Sequence, residues 1–490
     1  MFKQTVTAFL LVWSSQIALN TNAEVFSSVV KLKVLANLEL VLLSSLGKFI
    51  QSQNGIESRD IGGQNMNDII RFVVETEHKL SQEGRQVGNP VNSYQLVHRF
   101  LYEWRQIKDI LKMILRTEHV TPESETFANK FLHTAKFIQD SEMWPDTDDL
   151  QGASLGLLRI VEIYQVPLYQ LARGNLLGKR TMALETTQCL SIADVAQDME
   201  MDWEAVKWYN YTISILGTDA ASQHLLTKAH MSMAAILYKL GRPDLSADSI
   251  QQLIVKKNGS GIHDNQLQTE LRNYLQKSSN KPVLHPLIRP PPKWIGYYNF
   301  EKLCRAQLQP QISNNVVCSF HERLVPYLNF KREILHYDPL VVLYHDVVTD
   351  SEMSSIKNTT IRKLTRSDVG GKDSKGATKS NARISQSTWL PAEDKMSEVL
   401  CRRIKLITGL QTDFKLKDTN SELFQVINYG IGGLHLPHHD YVSYYRKAKF
   451  EDVPLFQNSG DRIATVILYL SDVLMGGATV FRNLTSMYQL

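Results

Sequence analysis

Apolar residues recur every three or four positions along the first part of the chain, the spacing of one face of an α-helix. Two stripes follow this spacing. The first consists of Leu32, Leu35, Leu38, Leu42, Leu46 and Phe49, and the second of Leu96, Phe100, Trp104, Ile107, Leu111 and Ile114. Between them, Asn67 or Asp68 is a candidate N-cap for another helix. Each stripe must be buried, either inside the chain or against a second copy of it.

The next region favours helices joined by short turns. Helices are predicted over residues 203–216, 228–240 and 244–255, with Gly241 at a turn between the last two. Small residues on the facing surfaces suggest pairs of the tetratricopeptide type, although one pair alone is equally typical of ordinary helical packing. A proline-rich stretch over residues 281–292 then predicts a semi-rigid spacer.

Beyond the spacer, β-branched residues become frequent. The runs at 340–344 and 463–470 predict strands, and residues 393–408 predict one helix. Short strands with glycine turns suit a double-stranded β-helix, also called a jelly-roll. The fold class expected is therefore multidomain α+β, with two helical regions followed by a jelly-roll.

Composition narrows the function classes. With 490 residues, 43% of them hydrophobic, the chain is long enough for two to four globular domains. A formal net charge of +4 without a long basic run does not indicate nucleic-acid binding. No segment is long and uncharged enough to span a membrane, since charged residues such as Lys31 and Glu39 interrupt the apolar stretch at 25–50.

Several features favour the secretory pathway. Residues 1–23 resemble a signal peptide, the alternative being a buried N-terminal helix. Cys304 and Cys318 are close enough in sequence to close a small loop in an oxidising compartment. Four Asn-x-Ser/Thr sequons are candidate glycosylation sites, at Asn210, Asn258, Asn358 and Asn483.

The candidate chemistry lies near residue 440. His438 and Asp440 at positions i and i+2 would share one face of a strand and could hold one metal ion. They would form two-thirds of the 2-His-1-carboxylate triad of non-haem iron oxygenases. A lone His-x-Asp pair is more often a loop histidine near a solvated aspartate. His439 is expected to face away from the metal, and His435 to lie on the opposite face of the strand.

Several further motifs surround this pair in a fixed order. They are the segments 424–433 (FQVINYGIGG), 437–440 (PHHD), 461–465 (DRIAT), 469–472 (YLSD) and 476–481 (GGATVF). Together, residues 334–481 resemble the catalytic domain of the collagen prolyl 4-hydroxylase α subunits, a family of Fe(II)- and 2-oxoglutarate-dependent dioxygenases. The resemblance extends to the helical regions.

The resemblance implies a division into domains. Residues 1–23 would be a signal peptide, 24–150 a helical assembly domain that pairs two α subunits, and 151–276 a tetratricopeptide-like domain that binds proline-rich, collagen-like peptides. Residues 277–333 would be a proline-rich linker with a disulfide between Cys304 and Cys318. Residues 334–490 would be the dioxygenase domain. The family also implies protein disulfide isomerase as the β subunit, and the endoplasmic reticulum lumen as the location.

The resemblance also assigns roles to residues. His438 and Asp440 would bind Fe(II), and Tyr429 would donate a hydrogen bond to the co-substrate 2-oxoglutarate, with ascorbate as a further cofactor. Tyr429 is equally typical of a core tyrosine. Tyr238 occupies the place of a peptide-groove tyrosine, and Arg462 would reach a peptide carbonyl or pair with a surface carboxylate. No further residue is assigned a catalytic role.

Two family elements are expected beyond Phe481, namely the distal histidine ligand and the lysine that pairs with 2-oxoglutarate, and neither is in the printed sequence. The sequence therefore predicts a C-terminally truncated jelly-roll without its last strands, and little or no turnover by the chain as written. The alternative function is a non-catalytic subunit for peptide binding and assembly. An unrelated cupin-like metal protein is a weaker third hypothesis.

Overall fold

The computed structural model describes residues 24–53, 63–81, 87–117, 120–176, 178–217, 219–258, 265–279, 297–305, 318–321, 329–369, 378–379, 381–413, 421–441, 460–473, 476–481 and 486–488. Backbone contacts divide the chain into two compact units. The first contains residues 22–293, and the second is built from 294–429 and 433–490. The predicted signal peptide at 1–23 lies outside the described residues.

The described part of the first unit is helical, apart from one hairpin whose two strands have two residues each. Its helices are α1 (Val29–Gln53), α2 (Gly63–Ser81), α3 (Pro90–Leu101), α4 (Glu103–Thr117), α5 (Pro122–Asp140), α6 (Thr147–Tyr164), α7 (Leu168–Ala172), α8 (Thr186–Asp198), α9 (Asp202–Ile215), α10 (Ala220–Lys239), α11 (Pro243–Asn258) and α12 (Asn265–Ser279), and the hairpin pairs β1 (Asn175–Leu176) with β2 (Lys179–Arg180). Residue 150 lies inside α6, so the two predicted helical regions share one continuous helix. Their division into domains remains a prediction.

The first apolar stripe is buried inside the chain. Every residue of the stripe lies on α1 and is buried, and α1 packs mainly against α5. The open choice between packing within the chain and packing on a second copy is thus resolved for this stripe. The stripe itself is not available as a pairing surface.

The second apolar stripe is divided between two helices. Leu96 and Phe100 lie on α3 and the rest on α4, with Tyr102 between the helices, and all six stripe residues are buried. The ring of Trp104 meets the rings of Phe72 and Phe131 at centroid distances of 4.7 and 5.9 Å. These contacts place Trp104 at the centre of a core shared by α2, α4 and α5.

A charged pair is buried beside this core. The guanidinium of Arg99 donates from Nε and Nη2 to the two carboxylate oxygens of Glu39, both at 2.8 Å. The indole Nε1 of Trp104 donates to Oε1 of Glu39 at 2.9 Å. Glu39 is fully buried and Arg99 is 5% exposed, so the three groups form a closed polar network in an apolar surrounding.

From α8 to α12, each helix packs mainly on its neighbour in sequence. The helix predicted over 203–216 is confirmed as α9, and those at 228–240 and 244–255 as α10 and α11, although α10 begins earlier. Gly241 at the predicted turn has φ +77°, a value that favours glycine. The tetratricopeptide description of this array remains a prediction.

One histidine is buried between α10 and α11. His230 is fully buried, its Nδ1 lies 3.1 Å from Oγ of Ser249, and its Nε2 is buried without a hydrogen-bond partner. Burial, assisted by the positive charge of Lys256, lowers the pKa of His230 to about 4. The imidazole is therefore neutral in the folded protein at neutral pH.

We expect this histidine to make the helical unit sensitive to acid. Between pH 6.5 and about 4 the unfolded chain binds a proton at His230 and the folded chain does not. Stability is therefore full above pH 6.5 and falls by about 3 kcal/mol as the pH drops towards 4. Urea unfolding followed by circular dichroism at several pH values measures this slope. His230→Asn should flatten it, whereas the exposed His133→Asn should not, and equal slopes in all three proteins would contradict the prediction.

The second unit mixes helices with small antiparallel sheets. Its helices are α13 (Tyr297–Cys304), α14 (Asp350–Thr360), a 3₁₀ turn (Ile361–Lys363) and α15 (Lys395–Thr408). Its strands are β3 (Cys318–His321), β4 (Phe330–Tyr337), β5 (Leu340–Tyr344), β6 (Thr365–Arg366), β7 (Asp368–Val369), β8 (Thr378–Lys379), β9 (Arg383–Ile384), β10 (Gln386–Trp389), β11 (Gln425–Asn428), β12 (Leu434–His435), β13 (Thr479–Phe481) and β14 (Ser486–Tyr488). The sheets are β3-β4-β5, β11-β10-β6, β12-β9, β13-β14 and β7-β8.

The sequence predicts part of this unit correctly. The strand at 340–344 is confirmed as β5, and the helix at 393–408 as α15, which begins after an Asp394 cap and ends at Gly409 with φ 72°. The strand at 463–470 is wrong, because those residues have no ladder partner within the described chain and Ile463 is 86% exposed. The small sheets described here do not establish a jelly-roll, which remains a prediction.

The secretory features have mixed outcomes. Cys304 and Cys318 have free thiols in the structure, contrary to the predicted bridge. Asn210 and Asn358 are exposed on α9 and α14, as glycosylation requires. Asn258 is the last residue of α11, and Asn483 lies outside the described residues. Among the described helices, none has the length and apolar character needed to cross a membrane.

Candidate metal and peptide sites

The candidate metal ligands His438 and Asp440 follow β12 directly. Nε2 of His438 lies 3.2 Å from Oδ1 of Asp440, so the two side chains converge as predicted. The predicted reason is wrong, because residues 438–440 form a loop and not a strand. Pro437 precedes them, and a proline cannot donate to a strand ladder, which ends β12 at His435.

The spacing of these two atoms fits a shared metal ion. Two donors that each lie about 2.1 Å from one ion and at a right angle to each other are about 3 Å apart. The 3.2 Å between Nε2 and Oδ1 is close to this value. Imidazole nitrogen with carboxylate oxygen is also a donor set that suits iron. His438 and Asp440 thus fit two neighbouring coordination positions.

The surrounding contacts hold both ligands in place. Nδ1 of His438 donates to the carbonyl oxygen of Leu436 at 2.8 Å, which leaves Nε2 for the carboxylate or for a metal. The hydroxyl of Thr465 donates to Oδ2 of Asp440 at 2.5 Å, and Nη1 of Arg462 donates to the main-chain oxygen of Asp440 at 3.0 Å. The hydrogen bond between His438 and Asp440 lowers the pKa of the carboxyl below its usual range and raises the pKa of His438.

Arg462 adopts the second of its two predicted roles. Its guanidinium forms a two-pronged pair with Glu422, with Nη2 donating to Oε2 at 2.9 Å and Nε donating to Oε1. With Nη1 on Asp440, the side chain is engaged inside the chain. Arg462 therefore positions the loop of Asp440 in this structure, and its contact with a peptide remains a prediction.

His435 lies against His438, contrary to expectation. Their rings are stacked with centroids 3.8 Å apart and an interplanar angle of 27°. The expectation assumed one regular strand, whereas the chain turns after His435 and brings both rings to the same side. Burial, with His438 as a further cause, lowers the pKa of His435 to about 4. His439 packs instead against Tyr441, at 4.9 Å between centroids.

Arg383 and Tyr429 lie beside this cluster. Arg383 is the register partner of His435 in the β9-β12 ladder, and its Nη2 donates to Oε1 of Gln425 at 2.8 Å. Burial lowers the pKa of Arg383 and raises that of Tyr429, and the positive charge of Arg383 opposes the shift of Tyr429. Tyr429 is 40% exposed, which argues against a fully buried core tyrosine. Its hydrogen bond to a co-substrate remains a prediction.

The sequence did not identify Thr465 or Arg383 as site residues. Both are far from His438 in sequence and come close only in the folded unit. The motif at 461–465 contained the signal for Thr465. Within the described ranges, no three or more His, Cys, Asp or Glu side chains cluster closely enough to hold a metal ion. The described residues thus offer two candidate ligands, His438 and Asp440.

A second candidate surface lies on the helical unit. Tyr238 of α10 is 41% exposed, and its ring centroid lies 5.7 Å from that of Tyr274 on α12. Nζ of Lys277 lies 4.6 Å from the centroid of Tyr238 and 6.0 Å from that of Tyr274. The sequence pointed to Tyr238 alone. Tyr274 and Lys277 are three positions apart on α12 and so lie on one side of it, a spacing that could have revealed them.

Comparison with known proteins agrees with these features. Residues 28–178 match the family model "Prolyl 4-Hydroxylase alpha-subunit, N-terminal region". Prolyl 4-hydroxylase subunit alpha-2 of Caenorhabditis elegans is 25% identical over 94% of this chain and 83% of its own length. Prolyl 4-hydroxylase subunit alpha-2 of Gallus gallus is 26% identical over 97% and 86%, and subunit alpha-3 of Bos taurus is 27% identical over 85% and 77%. Over most of its length the chain is thus similar to prolyl 4-hydroxylase α subunits.

The similarity extends over both units of the chain. The N-terminal match covers α1 to α7, including the buried stripes, and ends at residue 178. The matches to whole relatives extend over most of the chain, including the unit that contains His438 and Asp440. The relatives are named as prolyl 4-hydroxylase subunits, which supports a function of the prolyl hydroxylase type.

Proposed function

We propose that the chain is the α subunit of a procollagen-proline 4-dioxygenase of the endoplasmic reticulum lumen. Its partners would be protein disulfide isomerase as the β subunit, a second α subunit, and proline-rich, collagen-like peptides. Its cofactors would be Fe(II) and ascorbate, with 2-oxoglutarate and O₂ as co-substrates. The observation that carries the proposal is the 3.2 Å approach of His438 Nε2 and Asp440 Oδ1 in a chain that is similar to prolyl 4-hydroxylase α subunits over most of its length.

The residues of the site have separate tasks in this proposal. His438 and Asp440 would hold the iron, which with 2-oxoglutarate and O₂ would supply the oxidising chemistry for hydroxylating proline. The carbonyl of Leu436 fixes the histidine ring with Nε2 towards the ion. Thr465 and Arg462 hold the carboxylate and the main chain of Asp440. From a half-exposed position beside the positive charge of Arg383, the hydroxyl of Tyr429 would donate a hydrogen bond to the co-substrate.

A second candidate function rests on a different observation. The tyrosine pair of α10 and α12, of which Tyr238 is exposed, does not depend on the metal site, and an exposed aromatic ring suits the flat face of a proline ring. This surface alone supports the function of a non-catalytic subunit, which binds peptides and assembles with its partners but does not oxidise proline. Peptide binding without oxidation is its distinguishing property.

One experiment separates the two. The full chain, co-expressed and purified with protein disulfide isomerase, is incubated with Fe(II), ascorbate, 2-oxoglutarate and a proline-rich peptide. An enzyme releases succinate and forms 4-hydroxyproline in equal amounts, and His438→Ala abolishes both. Peptide binding with succinate no higher than in His438→Ala supports the non-catalytic subunit. If the chain neither binds the peptide nor turns over 2-oxoglutarate, both functions are contradicted.

A further inference from the structure

The tyrosine pair of the helical unit has a positive charge placed over it. Lys277 lies in the last turn of α12, and its ammonium group is 4.6 Å above the ring of Tyr238, within the range of a cation–π contact. It also reaches Tyr274 at 6.0 Å. Tyr238 and Lys277 are both exposed, and Tyr274 is partly buried. The three side chains form one accessible patch, called here the Tyr-Lys patch.

Lys277 differs from two other lysines of this unit. Lys228 pairs with Asp194 at 2.6 Å, and Lys239 pairs with Asp202 at 2.8 Å. For Lys277 the contacts found within the described residues are those with the two rings. An exposed ammonium group held only by ring faces keeps its hydrogen-bond donors free for a carboxylate.

The charges around the patch are unequal. Glu270 precedes Tyr274 by one helical turn and is close enough to contribute, after burial, to the raised pKa of Tyr274. Lys277 follows Tyr274 by three residues, on its other side along α12. A bound peptide therefore meets a negative charge towards one end of the rings and a positive charge towards the other. An acidic side chain is favoured only at the Lys277 end.

We propose that the Tyr-Lys patch selects proline-rich peptides that carry an acidic side chain, whose carboxylate binds Lys277 while a neighbouring proline packs on Tyr238. The inference rests on the peptide binding included in the proposed function, and it adds the charge of the preferred peptide. A neutral peptide must compete with the ammonium group for the ring face. An acidic peptide draws the ammonium group to its carboxylate and uncovers the ring.

The expected preference is modest, because exposed ion pairs contribute little in water. We expect a peptide of repeated Pro-Pro-Glu to bind about fivefold more tightly than one of repeated Pro-Pro-Gln at low ionic strength, and the difference to shrink in salt. In a polyproline II helix with three residues per turn, this repeat places all glutamates along one edge. A shift of the peptide by one whole repeat therefore brings another glutamate to Lys277.

Fluorescence anisotropy of labelled peptides with the full assembled protein tests the proposal. The peptides are repeats of Pro-Pro-Glu, Pro-Pro-Gln and Pro-Pro-Lys. Lys277→Gln should lower the affinity for the Glu peptide to that for the Gln peptide. It should leave the affinity for the Gln peptide unchanged. Lys277→Glu should make the Lys peptide the tightest, and Lys277→Arg should keep the original order. Arg272→Gln removes an exposed charge from the same helix and should keep the order too.

Several outcomes would overturn the inference. Equal affinity of the unmodified protein for all three peptides would do so while leaving peptide binding intact. If Lys277→Gln lowers the affinity for the Glu peptide and for the Gln peptide equally, the lysine has a merely structural role. If none of the three peptides binds, the inference fails together with the peptide-binding part of the proposed function. Succinate release in the assay above still reports on the metal site in that case.

Discussion

Replacing Arg99 with leucine should destabilise the helical unit by about 3–5 kcal/mol, the usual cost of removing one partner from a buried ion pair. Glu39 would remain fully buried, with the indole of Trp104 as its remaining partner in the network, and its negative charge would have no counter-ion there. Urea unfolding of the full chain, followed by circular dichroism at 222 nm, should show the helical transition at a clearly lower midpoint.

Two further variants identify the cause. Arg71→Leu removes the arginine of an exposed pair with Asp68, whose Nη2–Oδ1 distance is also 2.8 Å, and should cost less than about 1 kcal/mol. The double change Glu39→Leu with Arg99→Leu removes both charges and should recover much of the lost stability. If Arg99→Leu is as mild as Arg71→Leu, the buried network does not stabilise the fold as its geometry implies.

The helical fold was predictable to a useful degree because its signal is local. The spacing of Leu32 to Phe49 identified α1 and its buried face, and Gly241 marked a turn that requires a positive φ. The break at Tyr102 was not predictable, since the apolar spacing continues through it. Nor was the burial of Glu39, because its ion pair with Arg99 joins residues 60 positions apart.

Less of the candidate metal site than of the helical fold could be predicted from the sequence. The motif of His438 and Asp440 pointed to two side chains that do converge, but the geometry that joins them is a loop after Pro437. The period-two rule therefore misplaced His435, which stacks on His438. Arg383 reaches the cluster through a ladder contact that no local pattern encodes, and the motif that contains Thr465 does not reveal its hydrogen bond to Asp440. Similarly, the β-branched run at 463–470 indicated a strand, but strand formation depends on a neighbour with which to pair.

The geometry of the candidate metal site predicts the order in which variants should bind Mn(II). Asp440→Ala removes one of the two protein ligands that the described residues supply, and it should weaken Mn(II) binding the most. Thr465→Val keeps the carboxylate but removes the hydroxyl that donates to its Oδ2 at 2.5 Å. A loss of roughly 10–100-fold is expected for such a supporting residue. Electron paramagnetic resonance of free Mn(II), titrated with the assembled full chain, measures both affinities without requiring turnover.

The control is a carboxylate of the same unit that lies outside the cluster. Asp472 is exposed, and Asp472→Ala should bind Mn(II) as the unmodified protein does. The order expected is therefore Asp472→Ala, then Thr465→Val, then Asp440→Ala, from the strongest binding to the weakest. If Asp440→Ala binds as well as Asp472→Ala, the ion is held elsewhere. The 3.2 Å approach of His438 and Asp440 would then be an ion pair between side chains, because a metal ligand that contributes to binding cannot be removed without loss.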